Sequence, residues 1–235
     1  IDGDSMADRS LSDVVARLRG AIGAPVAVTV RRESGSEAVL GMKRSRIIPT
    51  TVVYERRGDV ALIHLSGFNS ATTDNLKSAM DKARAEIGKD LAGVIIDMRS
   101  NRGGLLDQAQ TVSELFINNG TIFSTNGRHP DSRRTYRSAA SGKSAELPIV
   151  VLMNGGSASA AEIVAAALQD RGRAVVVGST SYGKGTVQTV VRLANEGELI
   201  LTWSRLQAPS GYTWNELGVL PNICTSKVGD AGQLN

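Results

Sequence analysis

The sequence predicts an α/β core, and three observations carry that prediction. Three short apolar runs, at residues 94–96 (V-I-I), 149–153 (I-V-V-L-M) and 175–177 (V-V-V), have the near-continuous hydrophobicity of strands buried on both faces. Two of them end in glycine-containing loops, Asn101-Arg102-Gly103-Gly104 and Asn154-Gly155-Gly156, and each loop leads at once into a stretch of helical character. Strand and helix therefore alternate along the chain, the pattern of an α/β protein. With 235 residues, 41% hydrophobic and 21% charged, the chain has an ordinary soluble composition. That length suffices for one sizeable core with a smaller piece attached.

From the N-terminus, Ser10 followed by Asp13 resembles a helix-capping arrangement, with Asp where Glu or Gln is usual. Leu11, Val14, Val15 and Leu18 then recur at i, i+3, i+4 and i+7, one face of a helix that Gly20 and Gly23 end. Residues 25–32 alternate Val26, Val28 and Val30 with smaller or polar side chains, as a strand does. The polar stretch 33–37 is the expected boundary between two units. After it, a β-branched run to Tyr54, a turn at Arg57-Gly58-Asp59 and residues 60–65 read as a hairpin. Residues 73–87 place Leu76, Met80, Ala83 and Ile87 on one side of a helix. Helices are also expected over 105–118 and 160–169, one after each glycine loop. Residues 186–193 and 198–206 read as two strands joined at Asn195-Glu196-Gly197. No run approaches the ~20 apolar residues that cross a bilayer. The polar start I-D-G-D-S-M-A-D-R-S does not read as a signal peptide.

Composition narrows the partners. The formal charge is +4, but Arg31–Arg32, Lys43–Arg46, Arg56–Arg57 and Arg133–Arg134 are separated by neutral or acidic stretches. With 4% aromatics there is little to stack on bases, so no nucleic-acid partner is expected. Cys224 is the only cysteine, which leaves no intrachain disulfide and no cysteine-based zinc site.

The two strand–glycine–helix junctions present backbone N–H groups at helix N-termini, where developing negative charge is stabilised. In N-G-G-S-A-S-A-A-E (residues 154–162), Ser159 with Glu162 three positions on fits a capping box. Ser159 is therefore either a helix cap or a nucleophile served by the helix dipole and the Ala160 N–H. A nucleophile needs a base. His64, mid-strand in L-I-H-L, and His129, in a polar loop before Pro130, have no motif-like surroundings. Lysine is the other partner that serine uses. Lys184 stands in S-Y-G-K-G-T-V-Q, where Gly183 and Gly185 would let its stem lie against backbone. As a base it needs a pKa brought from ~10.4 toward ~7–8, chiefly by desolvation. The same lysine closes G-S-T-S-Y-G-K-G (residues 178–185), one position from a phosphate loop. Such a loop must open a helix, whereas T-V-Q-T-V-V follows here, so nucleotide binding through Gly178–Gly185 is the weaker alternative.

Four segments, in order, resemble the carboxyl-terminal processing, or tail-specific, serine protease family. They are D-M-R-S-N-R-G-G (97–104), S-A-S-A-A-E (157–162), Y-G-K-G-T-V-Q (182–188) and A-P-S-G-Y-T-W-N-E-L-G-V-L-P-N (208–222). The resemblance covers residues 47–225. It implies a crotonase/Clp-protease-like core with Ser159 as nucleophile and Lys184, 25 positions later, as general base. Gln188 would orient the lysine. The N–H of Ala160, with that of Gly103 or Gly104, would form the oxyanion hole, and Ser157 is the alternative nucleophile. The implied function is endopeptidase cleavage near the flexible C-termini of protein or peptide substrates, with no metal or organic cofactor. The implied setting is the periplasm or cell envelope of a bacterium. The rival from another class is a catalytically idle peptide-binding scaffold, against which the intact Ser159, Lys184 and Gln188 count.

Residues 1–32 resemble the last third of the PDZ domain that members of this family carry before the core, though Asp8 stands where they usually have Gly. The expected organisation is an incomplete PDZ-like piece over 1–35 and a protease core over 36–235. The strand and carboxylate loop of a peptide groove are not among these residues, so tail peptides should bind weakly here.

Overall fold

The computed structural model describes residues 1–139 and 147–225. The chain forms two compact units, Ile1–Ile48 and Pro49–Asn235.

In the first unit, helix α1 (Leu11–Leu18) begins at the expected cap. The Asp13 N–H donates to Ser10 Oγ (3.2 Å) and the Ser10 N–H returns a bond to Asp13 Oδ2 (3.3 Å). Strand β1 (Pro25–Arg31) pairs antiparallel with β2 (Glu37–Lys43), from Pro25 opposite Lys43 to Arg31 opposite Glu37. The stretch 33–37, expected to divide two units, instead turns this hairpin, with the Arg32 N–H on the Ser36 carbonyl and the Gly35 N–H on that of Arg32. The division falls between Ile48 and Pro49. Strand β2 stands almost wholly in solvent, so its sequence carries no inward alternation to announce it. The Arg44 guanidinium ties the unit together by donating to the carbonyls of Leu18 (2.9 Å), Pro25 (2.6 Å) and Arg17 (3.0 Å).

The second unit is built on a six-stranded sheet. Strands β3 (Val52–Arg57) and β4 (Val60–Leu65) form the expected hairpin, and β5 (Gly93–Asp97), β8 (Ile149–Met153) and β9 (Val175–Gly178) are the three apolar runs. With the short β12 (Ile223–Cys224), the order is β12-β9-β8-β5-β4-β3, parallel except for the β3 edge. Helices α2 (Thr72–Ile87), α3 (Leu106–Glu114) and α4 (Ala160–Asp170) link the parallel strands. Every residue of α4 from Ala160 to Leu168 is buried, as expected of a helix that is apolar all round but for Glu162.

A second, antiparallel sheet has the order β10-β11-β6-β7, with β6 (Gly120–Asn126), β7 (Arg134–Ser138), β10 (Thr186–Arg192) and β11 (Glu198–Gln207). The segment holding Lys184 runs into strand β10 and not into a helix, so the structure does not favour the phosphate-loop alternative. Strands β5 and β8 are parallel neighbours, with Asp97 opposite Leu152. Both glycine junctions therefore leave the same end of the sheet side by side, where ligands bind in open α/β sheets.

Candidate active site

The two junctions are locked together by two amides and a hydroxyl. Asn101 is fully buried. Its Nδ2 donates to the Leu65 carbonyl (2.6 Å), its Oδ1 accepts the Gly103 N–H (2.8 Å), and its carbonyl accepts the Ala158 N–H (2.9 Å). From the other loop, Asn154 Oδ1 accepts the N–H groups of Ser100 (2.8 Å) and Gly156 (3.0 Å). Ser157, the alternative nucleophile, is spent on structure: its buried hydroxyl donates to the Met98 carbonyl (2.8 Å) and accepts the Asn154 N–H (3.0 Å).

Ser159 stands at the start of α4 with φ 57° and ψ −114°. A non-glycine residue in that region is strained, and such strain persists where the surroundings over-determine it. Here they do. A methyl group on Gly103, itself at φ 89°, would fall 2.8 Å from Ala160 N and 2.9 Å from Ser159 Cβ. Only a glycine lets the first loop come so close to the serine. Ala160 opens the helix, so its N–H is one of those without an intrahelical acceptor.

Glu162 joins this serine to the lysine segment. Its carboxylate is fully buried. Oε2 accepts the N–H groups of Ser159 (2.7 Å) and Lys184 (2.9 Å), and Oε1 accepts Ser181 Oγ (2.5 Å) and the Gly183 N–H (2.6 Å). One oxygen thus holds the backbones of both residues singled out in the sequence. Spacing revealed Glu162 only as a cap; its further role was hidden because its other donors lie 19–22 residues downstream.

The lysine segment is clasped from its far side by residues 214–219. Glu216 N–H bonds the Gly183 carbonyl (2.8 Å), Val219 N–H bonds Ser181 Oγ (2.7 Å), and Trp214 is buried whole. A methyl on Gly185 would meet Asn215 N at 2.6 Å, and one on Gly183 would meet Glu216 at 3.1 Å. The glycines flanking Lys184 therefore seat this strap. They were expected to shelter the lysine stem. Instead the Lys184 side chain is exposed, as is Gln188, which sits at a β-bulge in β10. Among the described residues, no hydrogen bond joins the Ser159 hydroxyl to Lys184, or Lys184 to Gln188.

Neither histidine takes part. His64 Nδ1 faces Asp97 Oδ2 at 3.4 Å, and His129 accepts the Asp131 N–H and lies against Trp203. At the end of β5, Asp97 holds Arg99 through two bonds, 2.9 Å from Nε and 2.6 Å from Nη2. Burial alone would raise the Asp97 carboxyl, but the Arg99 hydrogen bonds and charge outweigh it and hold it below the ordinary carboxylate range.

A parallel sheet carrying a strained serine at one of two interlocked glycine junctions defines an α/β core of the Clp-protease-like class. Residues 59–225 match the model of peptidase family S41, and the chain belongs to that family. It is 39% identical over 226 residues to a carboxy-terminal-processing protease of Bartonella bacilliformis, covering 95% of this chain and 52% of that protein. It is 32% identical over 248 residues to a protein of Staphylococcus aureus strain COL named "Probable CtpA-like serine protease", covering 98% and 49%. Among solved structures it resembles the photosystem II D1 C-terminal processing protease, with a TM-score of 0.67 and 28% identity over 95% of this chain and 61% of that one. The chain thus spans about half the length of the curated relatives it matches.

Proposed function

We propose that this chain is the catalytic part of a serine endopeptidase that cuts near the flexible C-termini of loosely folded proteins. The observation that carries the reading is the pair of bonds to Glu162 Oε2, which hold Ser159 and Lys184 at one point. Ser159 is the nucleophile, Lys184 its general base, and Gln188 orients the lysine. Catalytic hydrogen bonds are often unformed in a free enzyme and close with substrate in place. An exposed Lys184 is thus the open form, which substrate covers when it binds.

Of the two candidate glycines, Gly103 has already given its N–H to Asn101. Phe68 bonds the Gly103 carbonyl and the Leu105 N–H, a bridge that turns the Gly104 N–H to the opposite side. Gly104 and Ala160 thus supply the oxyanion donors. Neutral Lys184 takes the Ser159 proton as the oxygen attacks the scissile carbonyl. The carbonyl oxygen gains its charge against the two N–H groups, the protonated lysine passes its proton to the leaving amine, and water then releases the acyl group.

By the same resemblance we read the first unit, Ile1–Ile48 and not 1–35 alone, as the C-terminal part of a PDZ-like domain and assign the protein to the periplasm or envelope of a bacterium. Among the described residues no helix is long and apolar enough to cross a membrane. The test is incubation of a flexible-tailed protein with the intact chain and with Ser159→Ala and Lys184→Ala, read by mass spectrometry. Each variant should lose at least ~10³-fold in rate while keeping its fold, since nucleophile and base act as a unit. Retained Ser159-independent cleavage overturns the dyad, and an inert intact chain favours the idle scaffold.

A further inference from the structure

Among the described residues, strand β10 is the outer strand of its sheet, and only Arg205–Gln207 of β11 reaches β6. The remainder of β10 and β11 is a two-stranded ribbon. It exposes Val190 (53%), Ile200 (57%), Leu201 (46%) and Trp203 (39%), with Val191 and Leu199 beside them. An isolated ribbon with both faces wet is marginal in water. Natural edge strands are normally blunted by charge or proline, yet T-V-Q-T-V-V carries neither before Arg192. The Leu193 N–H bonds the Gly197 carbonyl across the ribbon (2.8 Å). By strand alternation, Val191 and Thr189 also turn toward β11, whereas Arg192, Val190 and Gln188 turn their N–H and C=O groups to the free edge. This edge begins at Thr186, two residues beyond Lys184.

We propose that the free edge of β10 is a docking strand for substrate: it pairs with an extended, uncharged, apolar stretch of the polypeptide to be cut. The inference rests on the Ser159–Lys184 reading for the identity of its occupant. Continuity favours substrate over a second copy of the chain, because a segment laid along Arg192 to Gln188 is led directly to the lysine. At about 3.3 Å per residue, four further residues carry it from Gln188 to Lys184. Main-chain pairing demands a partner with unpaired backbone, so a folded segment is refused. The apolar side chains of the ribbon select the composition, in the manner of strand addition elsewhere.

The test uses the full chain bearing Ser159→Ala, which binds without turnover, and a fluorescent uncharged ten-residue peptide rich in valine and isoleucine. N-methylating every second amide of the peptide should weaken binding at least tenfold in one phase and leave it within twofold in the other. Replacing two of its apolar residues by lysine or aspartate should also weaken it at least tenfold. Val190→Pro removes an N–H from the free edge without touching the β11 ladder, a position where proline is tolerated, and should weaken binding at least tenfold. If that variant misfolds, the phase dependence decides alone. Equal effects of both N-methyl phases, or equal binding of the charged peptide, overturn the proposal. So does a dimer, seen by sedimentation, that Val190→Pro dissociates. Failure of the Ser159-intact chain to cleave, with phase-dependent binding retained, would instead overturn the catalytic reading.

Discussion

At Ser157 the hydroxyl is buried between the Met98 carbonyl and the Asn154 N–H, so Ser157→Ala strands both. Such a loss costs about 1–3 kcal/mol; urea denaturation should show it, while the folded protein still reacts at Ser159 with a small serine-directed fluorophosphonate. Glu162→Gln turns an amide NH2 toward donors that need an acceptor. It should cost a further-reaching ~2–3 kcal/mol and, on the proposed function, lower turnover as well, since the backbones of Ser159 and Lys184 both hang on that carboxylate. Asp97 carries a pH prediction. Its folded pKa lies below its unfolded one, so its pair with Arg99 contributes fully above ~3.9 and is lost as pH falls through the folded value. Arg99→Met removes the guanidinium's bonds and charge and leaves only the backbone N–H of residue 99 and His64 to work against desolvation, so the carboxyl moves up from its depressed value. The stability gap between the two proteins should be widest near neutral pH and shrink toward pH ~3; a gap that stays constant in urea melts overturns this. Ser159 was legible as a residue because its cap spacing is local. Glu162 as a hub and Lys184 as an exposed side chain were not, because both depend on segments that meet only in the fold.

Among the elements, those with inward faces announced themselves. Strands β5, β8 and β9 are unbroken apolar runs, α2 shows its buried stripe of Leu76, Met80, Ala83 and Ile87, and α1 carries its own cap. Strands β6 and β7 read G-T-I-F-S-T-N and R-T-Y-R-S. They are polar enough to pass for loop, and become strands through mutual pairing and the bond between Thr125 Oγ1 and the Ser132 carbonyl. Helix α3, expected to reach 118, ends at Glu114, where the Leu115 and Phe116 N–H groups bond the carbonyls three residues back, Val112 and Ser113, and the Phe116 and Ile117 side chains are buried. Helix α4 makes the firmest prediction at this scale. Ala165 is wholly buried in a continuous apolar run, so Ala165→Leu should overpack the helix and destabilise the protein by about 1–3 kcal/mol, measured by the shift in denaturant midpoint.

For the whole molecule, the division at Ile48/Pro49 lies in an irregular, exposed stretch containing Arg46. Brief trypsin treatment should cut there first, leaving a product from residue 47 onward that unfolds in one cooperative step; cleavage spread evenly over both units would contradict two compact bodies. Their boundary escaped the sequence because a polar turn and a polar linker look alike until strand pairing tells them apart. The strap over the lysine segment adds a constraint of timing. Ser159 and its helix are complete by residue 170, and Glu162 can take the lysine segment as it emerges, but the clasp on its far side, through the Gly183 carbonyl and Ser181 Oγ, waits for Glu216 and Val219. During synthesis the chain emerges from its N-terminus at about 5–20 residues per second. On the proposed function, a nascent chain that has already folded Ser159 therefore spends the last seconds before Val219 appears with the Lys184 segment held from the Glu162 side alone, and should digest the unfolded chains around it poorly until then.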